Sequence, residues 1–180
     1  MLDPMLDLTK EKPNAFSYNY VEANYVNLSG GFNGIEFAGS FDFRKNLGVA
    51  ASYLTASTGG FDYDLISVEG LYHFQFDRID ELKDLDVIAH VGIENGETSF
   101  NFLGTTLSVS DTGLRFGVKV RAQIAPQIEA FADMSYTTLF SGDLNILGGG
   151  VFSINEQIGV YASYELADAN IISIGARFSF

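Results

Sequence analysis

A chain of 180 residues with 47% apolar side chains is long enough for one domain with a sizeable core. Its net charge of −13, from 23 acidic against 10 basic residues, argues against nucleic acid, which needs a basic face. With no cysteine there are no disulfides or thiolate metal sites, and no stretch approaches the roughly 18 consecutive apolar residues of a membrane helix.

Residues 1–15 (MLDPMLDLTKEKPNA) are acidic and interrupted by proline. They lack the basic-then-apolar pattern of a secretory signal, as a processed chain would, and are expected to form a flexible periplasmic tail ahead of one domain at 16–180. From there the dominant signal is a period of two, broken by turn residues. YNYVEANYV (18–26) sets Val21, Ala23 and Tyr25 against Tyr20, Glu22 and Asn24. IEFAGSFDF (35–43) sets Ile35, Phe37, Phe41 and Phe43 against Glu36, Ala38, Ser40 and Asp42, and RKN (44–46) turns into LGVAASYL (47–54). ISVEGLYHFQF (66–76) opposes Ile66, Val68, Tyr72, Phe74 and Phe76 to Ser67, Glu69, Leu71 and His73.

DRIDELKD (77–84) is charged enough to form a helical turn. LDVIAHVGIE (85–94) then places Asp86, His90 and Glu94 on one face. A stretch at 95–112, rich in Gly, Ser, Thr and Asn, reads as the one long loop. LRFGVKVRAQI (114–124) alternates most cleanly, with Arg115, Lys119 and Arg121 opposite Leu114, Phe116, Val118 and Val120. IEAFADMSY (128–136), LNILGGGVFSI (144–154), IGVYASYEL (158–166) and IISIGARFSF (171–180) complete ten predicted strands, with eight as the alternative count. Strands of 9–12 residues match the ~9–11 of a tilted membrane-spanning strand better than the ~5–6 usual in soluble sheets.

Two features decide which face is outside. The mixed face is loaded with small residues such as Gly48, Ser52, Gly92, Gly117, Gly149 and Gly175, as a crowded lumen requires. The apolar face carries aromatics at two levels: Tyr25, Tyr53, Tyr136 and Tyr164 at one end, Tyr72, Phe74, Phe76, Phe178 and Phe180 at the other. Such girdles flank the aliphatic band of a lipid-facing barrel. The fold expected is therefore an all-β, closed antiparallel transmembrane barrel with a small, polar and charged lumen.

GARFSF at the C-terminus, alternating and ending on phenylalanine, resembles the signal read by the outer-membrane barrel assembly machinery, with Phe178 and Phe180 as its apolar positions. FSYNYVEANYV and GLYHFQF (70–76) are similar to small porin-like proteins of the OmpA-like outer-membrane β-barrel superfamily. The resemblance covers residues 16–180. It implies the outer membrane of a Gram-negative cell envelope, lipids as the surroundings, and the assembly machinery as a partner during insertion. Familiar members have eight strands, and no peptidoglycan-binding domain follows the barrel here.

The lumen is expected to hold Glu22, Glu36, Asp42, Glu69, Asp86, Glu94, Glu129, Asp133 and Glu165 against Arg115, Lys119, Arg121 and Arg177. A narrow barrel must pair such charges, and Glu22 with Arg177, Arg121 with Glu129, and Glu94 with Arg115 are the expected pairs. An ion-paired plugged core is one outcome; a narrow path lined by acids, passing small solutes and favouring cations, is the other. His73 and His90 are lumen residues, His90 near Glu94, with no serine nucleophile patterned beside them and too few for a metal site. LGGG (147–150) lacks the lysine of a phosphate loop. No enzyme, cofactor or metal is expected. Two functions remain: a structural or narrow-channel barrel, and an interaction protein docking a partner through loop 95–112, the tail or the outer surface.

Overall fold

A computed structural model describes residues 16–74, 85–102 and 105–180. The tail at 1–15, the helical turn at 77–84 and the girdle residue Phe76 lie outside the described residues. Ten antiparallel strands form the barrel: β1 Tyr20–Leu28, β2 Phe32–Arg44, β3 Leu47–Thr58, β4 Phe61–Phe74, β5 Leu85–Phe102, β6 Thr105–Ala125, β7 Ile128–Thr137, β8 Asp143–Ser153, β9 Ile158–Leu166 and β10 Ile171–Ser179. Each pairs with its chain neighbours, and β1 pairs with β10 to close the ring. The seam runs from Tyr20 opposite Ser179 to Leu28 opposite Ile171. Closure is obligatory in hydrocarbon, where an open edge leaves N–H and C=O groups unpaired at several kcal/mol each.

The even strand number brings the start of β1 and the end of β10 to one rim, the terminal rim; the opposite one is the far rim. Tight turns serve the far rim, where Gly30, Gly31, Gly59 and Gly60 all adopt positive φ. Only glycine does so without a steric penalty. Several strands outrun the expected 9–12 residues. β5 and β6 have 18 and 21, and pair without interruption from Leu85↔Ala122 to Phe102↔Thr105. The stretches 95–102 and 105–112 are therefore not loop but the upper arms of a β-hairpin. Its outer face is polar because it stands clear of lipid, and its apolar residues Phe100, Leu107 and Val109 fall on the inner face, the reverse of the phase below.

Burial follows the period of two. In β1, Glu22, Asn24, Val26 and Leu28 are buried, while Val21, Ala23, Tyr25 and Asn27 are exposed. The exterior is an apolar belt, with Phe37, Val68, Val91, Ile93, Met134 and Ile174 each more than half exposed. Water would not tolerate so continuous an apolar surface, and a bilayer is the solvent that fits it. Both girdles point outward: Tyr25, Tyr53, Tyr136 and Tyr164 toward the far rim, Tyr72, Phe74, Phe178 and Phe180 toward the terminal rim. The Tyr25 hydroxyl donates to Asn33 Oδ1 at 2.6 Å and that of Tyr53 to Asp64 Oδ1 at 2.8 Å, which marks the upper edge of the belt. Tyrosine placed this way keeps its ring in oil and its hydroxyl in water.

Inside, small residues make room for the charges. A Cβ on Gly117 would collide with His90 and Ser135, and one on Gly92 with Glu69 and the Val68 carbonyl.

The belt and the hairpin should respond differently to charge. Val118→Arg, half-way up β6 on the lipid side, is expected to cost ~2–4 kcal/mol in refolding titrations from urea into lipid vesicles. Leu107→Arg, on the hairpin above the belt, is expected to cost at most about 0.5 kcal/mol.

Candidate functional site

The charged lumen is the only place where the fold gathers chemistry-bearing side chains among the described residues, and it has three levels. At the terminal rim, residues 16–19 run into the mouth before β1 begins. Phe16 is buried there, and the Arg121 guanidinium lies over its ring at 4.9 Å and over that of Tyr18 at 5.1 Å. Arg121 Nη2 also donates to the Ser17 carbonyl at 3.2 Å, while the Phe180 amide donates to the Asn19 carbonyl at 3.0 Å. Tyr18 meets the edge of the His73 ring at 4.5 Å. His73, 1% exposed, sits between Asp42 and Asp86, each 3.3 Å from a ring nitrogen. This entry segment occupies part of the terminal mouth, and beside it lies a cavity of about 740 Å³ bordered by Phe16, Ser17, Gln123, Glu129, Val151 and Arg177.

Next inward from the terminal mouth comes a bar of stacked side chains, running from β1 and β10 through β9 and β7 to β6. Arg177 lies over the Tyr20 ring at 4.1 Å and faces the Tyr161 ring at 6.0 Å. Tyr161 stacks on Phe131 with centroids 5.5 Å apart, and Lys119 lies over the other ring of that pair, 4.8 Å from the Phe131 centroid. Carboxylates clamp the bar. Arg177 Nε is 2.5 Å from Glu22 Oε1, directly across the seam, and Nη1 is 3.5 Å from Glu129 Oε2. Glu129 also receives a two-pronged bond from Arg121, Nε at 2.8 Å and Nη2 at 2.9 Å. The planar guanidinium suits both jobs, since it bonds a carboxylate in its plane and packs an aromatic ring on its face.

Above the bar, His90 bridges Glu69 at 2.6 Å and Asp133 at 3.0 Å. It does not meet Glu94, which lies four residues farther along β5, about 13 Å at the usual rise per residue. Glu94 instead pairs with Arg115 at 3.0 Å and accepts the Thr137 hydroxyl at 2.6 Å. Arg115 also approaches Glu69 at 3.6 Å and Asp133 at 3.9 Å. Glu36 accepts from Asn24 Nδ2 at 3.0 Å. Neither Glu36 nor Glu165 reaches a cation within salt-bridge distance among the described residues. The three ion pairs expected from sequence are thus present, and all fifteen expected lumen residues face inward.

Sequence reasoning missed the apolar lining near the far rim. Val26, Leu28, Leu54 and Ala56 form a buried cluster inside the barrel, with Phe32, Tyr63, Leu65 and Ile171 packed against it. The signal was in the phase of β1, where Val26 and Leu28 continue the series Glu22, Asn24. Beneath the rim the exterior is apolar and the interior charged; above it, the assignment inverts. A turn at Leu139–Ser141 leans in beside the hairpin, fitting the notches at Gly96 and Gly113, where any Cβ would strike Leu139 or Phe140. Among the described residues no group of three or more His, Asp or Glu side chains converges on a metal geometry.

No family model matches the chain, and no curated protein resembles it in sequence. Solved structures do. It is similar to the KdgM porin, with a TM-score of 0.55 and 10% identity over 89% of this chain and 99% of that one. It is similar to Neisserial surface protein A, with a TM-score of 0.51 and 14% identity over 91% and 98%. The β-domain of the Bordetella autotransporter BrkA also matches, at 0.51 and 13% over 92% and 100%. The chain has the fold of outer-membrane β-barrels.

Arg177 holds the bar at its centre, so Arg177→Ala leaves Glu22 buried without a cation. It is expected to cost ~3–5 kcal/mol in equilibrium unfolding. The double change with Glu22→Gln should recover part of that loss.

Proposed function

We propose that this protein is a bacterial outer-membrane barrel of the structural kind, whose lumen is held shut rather than open to passive flow. The observation that carries the reading is the bar Tyr20–Arg177–Tyr161–Phe131–Lys119, which separates the cavity near the termini from the one under the far rim. Every cation in it is stacked or clamped, and opening a path means breaking buried charge pairs. Passive movement of small cations then belongs to a perturbed barrel. The acidic far mouth would select for cations once open. The KdgM porin has been crystallised with disordered oligogalacturonate, a polyanion, and this mouth is the wrong sign for such a solute.

Location in the outer membrane follows from the lipid-facing belt, the paired girdles and the terminal Phe178 and Phe180, which stack at 6.4 Å on the outward face beside the closing strand. In this reading these two residues present the assembly machinery with its signal, and the surrounding lipids are the main partner.

A second reading is favoured by the hairpin. Leu107 and Val109 stand 66% exposed above the belt, where no lipid covers them, and a protein partner docking there would bury them. Excising 97–110 should leave the barrel intact in either case, and abolish the cellular role only if this second reading holds.

Single-channel recording of the refolded chain in planar bilayers tests the first reading. The wild type is expected to be silent in potassium chloride while its heat-modifiable migration shows an intact barrel. The pair Arg177→Ala and Tyr161→Ala is expected to give cation-selective openings that shrink in a salt of a bulky cation. Steady wild-type openings would contradict it.

A further inference from the structure

Between the bar and the far rim lies a second cavity of about 410 Å³, open toward the side away from the termini. That volume is within the ~300–1,000 Å³ range of small-molecule sites. Its walls have two characters. Leu28, Phe32, Leu54, Tyr63, Leu65 and Ile171 make one apolar wall, contributed by β1–β4 and β10. Facing them and below are carboxylates, among which Glu36 and Glu165 have no cation within salt-bridge distance among the described residues, Arg115 acting on both only from farther away.

Asn145 adds an independent sign. It lines the same cavity from β8, is 8% exposed, and its Oδ1 has no hydrogen-bond donor among the described residues. A buried acceptor left without a donor is costly, and native structures usually supply one. The register puts Glu165 opposite Leu147 on β8, so Asn145 and Glu165 are diagonal neighbours on one face of the sheet. A carboxylate and an orphaned amide oxygen beside each other ask for the same thing: a group with several N–H donors and a positive charge. The apolar wall asks for the rest of the molecule.

We propose that this cavity is a binding site for a small amphipathic amine, an aromatic or alkyl body bearing a protonated primary amino group. The body rests on the Leu54, Tyr63 and Leu65 wall, and the ammonium is held by Glu165, Glu36 and the Asn145 carbonyl oxygen. The arrangement disfavours two related classes. A neutral isostere leaves the carboxylates without a close cation, and an anionic one is repelled by them. Arg115 and Lys119, the cations on the lining, make their close contacts elsewhere, Arg115 with Glu94 and Lys119 with the Phe131 ring, so neither occupies the position beside Glu36 and Glu165 although the field of Arg115 reaches both. The site does not depend on whether the bar below it is closed, and binding needs no passage through the barrel.

Calorimetric titration of the full chain in lipid nanodiscs, with empty nanodiscs subtracted, tests this with three matched probes: phenethylammonium, 2-phenylethanol and 3-phenylpropionate. The amine should bind at least tenfold more tightly than the alcohol, and the acid should give no saturable heat. Glu36→Gln with Glu165→Gln should erase the preference of amine over alcohol while the alcohol still binds. Asn145→Leu should weaken the amine several-fold. Equal affinity of wild-type protein for amine and alcohol, or amine heat no larger than that of empty nanodiscs, would overturn the proposal. The wild-type comparison stands even if a variant fails to fold, and heat-modifiable migration reports that failure separately.

Discussion

Pairing of the first strand with the last is the constraint on which the rest of this structure depends. In hydrocarbon a sheet has no tolerable edge, so β1 must find β10, and the register of that seam sets Glu22 directly opposite Arg177. From that one juxtaposition the lumen organises itself. Arg177, drawn to Glu22, covers the Tyr20 ring, reaches Glu129 and faces Tyr161, so that the seam is joined to β7 and β9 across the interior. Glu129 in turn binds Arg121, and Arg121 holds the entry segment at Phe16, Ser17 and Tyr18. Backbone closure and lumen closure are two consequences of the same pairing.

Height along the barrel decides what each face must be. Within the bilayer the outside is apolar and the inside polar, because lipid takes the one and the narrow, ion-paired interior the other. Above the tyrosine girdle the demand reverses. Asn95, Glu97, Ser108 and Ser110 take the outer side of the hairpin, whereas Phe61 and Phe100 stack at 4.3 Å on the inner side. The apolar cluster around Val26 and Leu54 lies at this changeover. It gives the far mouth a surface that neither lipid nor the charged lumen would select, and this is why the mouth, rather than the bar, has the character of a binding cup.

Much of this was legible in the residues. Alternation fixed the strands, and its phase put Glu22, Arg177 and the other charges on the enclosed face. Adjacent strands then implied the pairs Arg121–Glu129 and Glu94–Arg115. The hairpin at 95–112 was missed because its alternation runs in the opposite phase to the strands below it: Phe100, Leu107 and Val109 take the inner side and Ser99, Ser108 and Ser110 the outer, which composition alone reads as a polar loop. The bar was hidden for a different reason. Tyr20, Tyr161 and Phe131 come from alternate strands of the wall, β1, β9 and β7, none of them paired directly with another, and their stacking beside Arg177 is set by the barrel's curvature, which the sequence pattern does not encode. His90 and Glu94, near in sequence along one strand, stand apart in space. The partners of His90 come from β4 and β7 instead.

The central claim is that the apolar face meets lipid and the charged face is enclosed. The chain contains no cysteine, so single cysteines placed at successive positions 114–121 of β6 can each carry one fluorophore without a competing site. Quenching by nitroxide-labelled lipids in reconstituted vesicles measures the claim most directly. The account requires strong quenching at 114, 116, 118 and 120, with little at 115, 117, 119 and 121. Strong quenching at the odd positions, or none of the alternation, would contradict it.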